Sequence, residues 1–172
     1  PRPETRRQSP PKKQPRPPAS GSLVLVRGGR AASTIVVPTP ATYWTRQAAG
    51  WLQSYIEQAS GAKLSIVDDR QQVSGPVISV GHTRLARQAG ITAEGLKWDG
   101  GRLAVRGERL FLIGRDVKSA FQSAKGKVAD GNCRAVVTFL EDYCGVRWFL
   151  PGPEGTVVPR QEDIRVESPL DR

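Results

Sequence analysis

Several residue types that carry chemistry are scarce in this sequence of 172 residues: it has no methionine, two cysteines, one histidine and only 6% aromatic side chains. Without methionine, the initiator is not in the sequence; trimming before Pro1, removal of a leader and origin in a longer chain would each leave that. The two cysteines, Cys133 and Cys144, fall in a segment with helical spacing. Eleven steps along one straight helix put their Cα atoms ~16 Å apart, where a disulfide tolerates ~7 Å, so both are expected as free thiols. One histidine, His82, and no CxxC pair leave no zinc ligand set of a common type. No run approaches the ~20 consecutive apolar residues of a membrane-spanning helix. The first residues are proline and arginine, so neither a span nor a charged-then-apolar leader is expected.

The same scarcity bears on catalysis. A Ser/His/Asp set needs a histidine to move the proton, and the one candidate, His82 in VGHT, has no GxSxG elbow beside it. It is expected as a surface or hydrogen-bonded structural residue. Glycosidic cleavage needs two carboxyls facing each other ~5 to 9 Å apart. Asp68 and Asp69 fall in a loop, while Glu141 and Asp142 are neighbours on a helix and point ~100° apart, so all four read as solvated surface charge. Gly28-Gly29 and Gly100-Gly101 lack both phosphate-cradle spacings and read as turns. No catalytic residue, cofactor site or metal site is therefore expected.

What is present is a 38% hydrophobic content, enough for one core, and a net charge of +10. The charge is unevenly placed. Residues 1–20 carry Arg2, Arg6, Arg7, Lys12, Lys13 and Arg16 against Glu4, which is half of the total, in a proline-rich segment with almost no large apolar side chains. Such a segment cannot bury enough surface to offset its ordering entropy and is expected to be disordered, either as a linker or as an anion-binding or proline-rich recognition arm.

From Leu23 onward short apolar runs alternate with turn residues. Leu23–Arg27 and Thr34–Val37 are expected as a hairpin around Gly28-Gly29. Ala48, Leu52, Tyr55, Ile56 and Ala59 form a helical stripe within 42–60, with Thr42 as cap and Gly61 as stop. Leu64–Val67 and Val77–Val80 read as strands, Thr83–Ala89 as a short helix closed by Gly90, and Arg102–Gly114 as a second hairpin around Gly107-Glu108. Asp116–Asn132 is polar and aperiodic, a loop. Cys133–Tyr143 is an amphipathic helix stopped by Gly145. Val146–Leu150, Thr156–Val158 and Ile164–Val166 read as strands around Pro151-Gly152-Pro153. The expected class is α/β (α+β): a mixed β-sheet with two main helices packed on one face, in a single domain.

Four stretches then carry a resemblance: AAGWLQSYIEQASGAKLSIV (48–67), PVISVGHTRLA (76–86), RLFLIGRD (109–116) and AVVTFLEDYCGVRWFLPGPEGTVVP (135–159). In this order they resemble the N-terminal domain that precedes the catalytic TIM-like barrel in α-glucuronidases, β-N-acetylhexosaminidases and related glycosidase-like proteins. FLEDYCGVRWFLPG followed by GTVVP is the most specific part. This chain has Gly131-Asn132, after a longer polar insertion, where a glycine-threonine pair usually opens the last helix. The resemblance covers 23–166 and implies a non-catalytic accessory domain whose partner is a catalytic barrel, with 167–172 as the start of a linker. It also implies an extracellular or periplasmic location and carbohydrate as a further partner. Catalytic carboxylates belong to the barrel, so none is carried over. The candidate interface or sugar contacts are Arg147 and Trp148 in GVRWFLPG, and Arg115 and Asp116 at the end of RLFLIGRD. Such a domain is expected to show an exposed apolar patch near the GVRWFLPG turn, where the barrel would pack. The alternative from another class is a basic-tailed module binding nucleic acid or an anionic polymer, with salt-sensitive affinity.

Overall fold

In the computed structural model, which describes residues 21–97, 100–116 and 130–172, the first strand, β1 (Ser22–Arg27), turns through Gly28 and Gly29 into the two-residue β2 (Arg30–Ala31). Both glycines have positive φ, 53° and 69°, which a two-residue hairpin turn of this hand requires. The expected hairpin is thus present but its second strand is β2. The run Thr34–Val37, β3, leaves for another sheet, where Ile35 and Val36 are both buried. Burial on successive positions means that both faces are covered, which suits a parallel strand and not the half-exposed arm of a hairpin.

Thr42 and Gly61 bound α1 (Tyr43–Ser60) as expected: the Thr42 hydroxyl accepts from Thr45 N at 3.0 Å, and Gly61, at φ 80°, donates its N–H to Glu57 O. The strand expected at Leu64 starts later, as β4 (Ile66–Asp68), because the Leu64 carbonyl is taken by Gln53 Nε2 at 2.6 Å. There follow β5 (Val77–Val80), α2 (Arg84–Gln88) capped by Thr83, and the hairpin of β6 (Gly101–Arg106) and β7 (Arg109–Gly114). The last helix, α3 (Gly131–Tyr143), begins two residues before Cys133, so the end of the expected polar loop is helical. The chain closes with β8 (Arg147–Trp148), a 3-10 turn over Pro153–Gly155, β9 (Thr156–Val157), β10 (Ile164–Glu167) and β11 (Leu170–Asp171). The tail 1–20 and most of the insertion, 117–129, lie outside the described residues.

The main sheet has the order β11-β6-β7-β5-β3-β4. Strands β4, β3, β5 and β7 are parallel, and β6 and β11 each run antiparallel to the neighbour before them. A three-stranded sheet, β10-β1-β2, stands beside it. The two main helices pack together on one face: Leu52 and Ile56 of α1 and Phe139 and Leu140 of α3 meet Ile35, Ile78, Leu103 and Leu110. The small sheet adds Leu25, Ile164 and Val166 to the same core. On the opposite face Phe111, Ile113 and Ala104 are covered by Ala86 and Ile91. Strand β7 therefore feeds two cores with alternate residues and reads as one unbroken apolar run.

Within 167–172, expected as the start of a linker, Leu170–Asp171 forms the edge strand β11 beside β6. Arg172 exchanges two backbone hydrogen bonds with Leu103, and Asp171 accepts from Arg102 at 2.9 Å and from Arg106 at 2.5 Å. These contacts cover the open side of β6, which the sequence pattern of so short a strand does not announce. The expected strand Val146–Leu150 shortens to β8, because Phe149 N–H turns to Gly155 O and closes a loop. Cys133 and Cys144 are free and buried, and burial pushes both thiols up to about 12. Among the described residues no helix is long and apolar enough to cross a membrane.

Candidate functional site

Two places in the fold hold the candidate residues. The first is the corner built by β8, the proline turn and β9. Arg147 pairs with Val157 and Trp148 with Thr156, and the loop between them is drawn tight by Phe149 N–H to Gly155 O at 2.7 Å and Thr156 Oγ1 to Gly152 O at 3.0 Å. Gly155 sits so close under Leu150 that any Cβ would collide with the Leu150 backbone, so this close turn requires glycine. The consequence is that Phe149 and Leu150 point outward, 73% and 68% exposed, next to Val157 at 50%.

Strand alternation separates Arg147 and Trp148. Trp148 is half-buried: its Nε1 donates to Tyr55 Oη at 2.9 Å, and the two rings stand edge to face with centroids 5.3 Å apart. Arg147 is exposed and its guanidinium donates to the Glu141 and Val146 carbonyls at 2.7 Å each, closing the end of α3 where carbonyls lack helical partners. An open groove of about 720 Å³ runs along the corner, lined by Tyr55, Trp148, Phe149, Leu150 and Pro151. It is the apolar patch expected beside GVRWFLPG.

The second place is a polar knot where the carboxyl end of β7 meets the first turns of α1 and α3. The Asp116 carboxylate accepts from Thr42 Oγ1 at 3.0 Å, Thr45 Oγ1 at 3.2 Å, Asn132 N at 2.9 Å and Asn132 Nδ2 at 2.7 Å. Asn132, fully buried, accepts Gly114 N at 2.8 Å on its other amide atom. Burial pushes the Asp116 carboxyl above its ordinary value, and the donors from Asn132, Thr42 and Thr45 offset only part of that. Gly114 and Gly131 press backbone to backbone at this point, leaving no room for a Cβ on either. The knot holds α3 on the sheet. Composition could not reveal it, since Asp116 and Asn132 both belong to a segment that reads as plain polar loop; the one signal was the Gly131-Asn132 pair standing where the resemblance leads one to expect glycine-threonine.

Arg115 is exposed and borders a shallow depression with His82. The His82 Nε2–H donates to Gly114 O at 3.1 Å, which makes this histidine a hydrogen-bonded structural residue, as expected. Of the acidic residues, Asp68 accepts from Arg70, Asp69 from Thr39 N and Arg84 N, and Asp142 pairs with Arg172. Among the described residues no group of three or more His, Cys, Asp or Glu could hold a metal ion.

No family model matches the sequence, and no curated protein matches it. Solved structures do match the fold. One is a family GH115 4-O-methyl-α-glucuronidase with specificity for decorated arabinogalactans, similar at a TM-score of 0.50 and 16% identity. This fold occurs within a glycoside hydrolase. The likeness takes in 87% of this chain and 18% of the enzyme's chain, so the domain described here matches less than a fifth of that protein. At such identity the likeness shows fold alone, which agrees with the coarser part of the resemblance read from the sequence.

Proposed function

We propose that this domain is a non-catalytic accessory module of a carbohydrate-active protein, and that a catalytic module packs against the Phe149–Leu150–Val157 corner. The observation that carries the reading is the outward aim of three large apolar side chains on a loop that is otherwise tightly hydrogen-bonded. A mobile tip that shows hydrophobic residues says little; a pinned one holds them in place for a partner. The match to a small part of a much longer glucuronidase supports the same division of labour, with cleavage assigned to the larger remainder. Trp148, held by Tyr55, forms the inner wall of the contact, and Arg147 fixes its position from the end of α3.

Intact mass and hydrogen exchange on the native gene product test the reading together. The expected result is a protein that contains or copurifies with a carbohydrate-active catalytic module, in which the amides of 149–157 exchange more slowly than they do in the 172-residue chain alone. A native product with no such module, or equal exchange in both forms, overturns it.

A further inference from the structure

The outward side of α1 is unlike that of its neighbour. Of its six exposed positions only Arg46 is charged; the others are Tyr43, Gly50, Trp51, Ser54 and Gln58, whereas both exposed positions of α3, Arg134 and Asp142, are charged. At ~100° per residue those five and the half-buried Gln47 share an arc of ~100°, a stripe without charge that runs the length of the helix. On it Tyr43 and Trp51 are 37% and 39% exposed. Depletion of charge together with enrichment of aromatic side chains marks the core of a protein contact. We propose that the stripe is the contact between two copies of this chain, packed antiparallel along α1 about a two-fold axis. The proposal does not rest on the docking corner, whose groove shares only Gln58 with the stripe.

The first reason is Gly50. Glycine inside a helix is unfavourable, and nothing in the fold asks for it here: its φ is not left-handed, and a Cβ would meet nothing within 4 Å. What a side chain at this position would fill is the space outside the helix. The second reason is the order of the stripe. An axis passing between Gly50 and Trp51 puts Trp51 of each copy level with Gly50 of the other, a large ring over bare backbone. The same axis sets Gln47 level with Ser54 and Tyr43 level with Gln58, polar groups that can each donate and accept.

Charge agrees with this arrangement. Arg46 and Glu57 stand on one flank of the stripe, their directions ~20° apart, but ~16 Å of helix keeps them from meeting within a chain. In the antiparallel pair that flank is common to both copies. Arg46 of one then lies within ~3 Å of the level of Glu57 of the other, and the ion pair is made twice. Inside the chain Arg46 Nη1 donates to Ala41 O at 2.6 Å and Glu57 meets Lys63 at 3.9 Å, contacts of exposed side chains that can turn. A parallel pair would instead set Trp51 against Trp51 and Arg46 against Arg46. One pair of helices ~27 Å long buries less than the ~1,200 Å² of a standard interface, so the dimer is weak and depends on concentration.

Sedimentation equilibrium of the 172-residue chain, from micromolar concentration up to ~1 mM, is the test. The expected result is a monomer that passes into a dimer across this range. Trp51→Ser should weaken the dimer by at least about tenfold, since two aromatic contacts are lost at once. Gly50→Leu should move two readouts in opposite directions. At a dilution where the chain is monomeric it should raise Tm by about 2 to 4 °C, because leucine favours a helix more than glycine, and yet it should abolish the dimer. Arg46→Glu should weaken association severalfold, and adding Glu57→Arg should restore it. A chain that stays monomeric throughout overturns the inference, including one in which residues 1–20 lie on the stripe and shield it. So does a dimer or larger species that keeps wild-type affinity in Trp51→Ser or Gly50→Leu, or one that the exchange of charges fails to restore. If a melting curve shows that Trp51→Ser does not fold, Gly50→Leu decides alone.

Discussion

The Asp116 knot and the Phe149 corner break the usual rule of burial in opposite directions. At the knot, polar groups go inside: a carboxylate and a fully buried amide sit between two helices and a strand, and each finds hydrogen-bond partners within the chain. At the corner, apolar groups go outside, and nothing within the described residues covers Phe149 or Leu150. Both are held by close backbone turns that demand glycine, Gly114 and Gly131 in one case and Gly155 in the other. The difference teaches that contacts among the described residues account for the polar groups of the knot and leave the apolar groups of the corner in water.

If that contrast holds, damage at the knot should be large and damage at the corner small. Asn132→Ala leaves Gly114 N–H buried without its acceptor and takes the Nδ2 donor from Asp116, while the backbone N–H of residue 132 still reaches that carboxylate. Two such losses at ~1 to 3 kcal/mol each predict a destabilisation of about 3 kcal/mol, read from the urea midpoint. A loss below about 1 kcal/mol would mean that water or neighbouring groups replace the amide, and the knot would not be what holds α3. Trp148→Phe keeps the ring and removes one half-buried hydrogen bond to Tyr55. It should cost about 1 kcal/mol in the same measurement, and so place the inner wall of the corner between the two extremes.

The comparison also explains what could and could not be read from residue order. Helix α1 was legible in full because Thr42, the apolar stripe and Gly61 act within one stretch of chain. The β1–β2 turn was legible from its two glycines, but where β3 goes depends on what covers both faces of Ile35 and Val36, and that is decided by β4, β5 and α1. The edge strand β11 was missed since its stability comes from Arg102, Arg106 and Leu103, distant in sequence. The corner was foreseen because a proline-glycine turn after an apolar run is a local signal. The knot was not, because Thr42 and Thr45 lie 71 to 87 positions along the chain from the Asp116 and Asn132 side chains they bond.

Acid sharpens the picture further, with a smaller effect. Burial raises Asp116 above 3.8, so the folded state holds this proton more tightly than the unfolded chain. Folding then takes up a proton in the window between 3.8 and the raised value, and Asp116 makes stability climb as pH falls through that window. Asp171 runs the other way: the hydrogen bond from Arg102 lowers its carboxyl, so its stabilising share is present above 3.8 and is lost as pH falls through the lower folded value. Urea midpoints taken from neutral pH downward should show the gap between wild type and Asp116→Asn widening in acid, while the gap to Asp171→Asn narrows. Parallel curves for Asp116→Asn would mean that the four donors already cancel the burial.

The smallest effect is expected where the apolar residues are largest and most exposed. Phe149→Ser with Leu150→Ser removes two side chains that are already mostly in water, so the 172-residue chain should change in stability by no more than about 0.5 kcal/mol. The backbone hydrogen bonds that shape the turn, Phe149 N–H to Gly155 O and Gly155 N–H to Gly152 O, do not involve either side chain and persist in the variant. What should change is contact with a partner: in the native protein the same double variant should restore fast amide exchange over 149–157. A loss of about 2 kcal/mol or more in the chain alone would show that these residues pack on their own domain, as core substitutions do, and would remove the contrast with the knot. Near-neutral stability joined to lost protection is the pattern of a surface built for contact, because a side chain in water contributes little until something displaces that water.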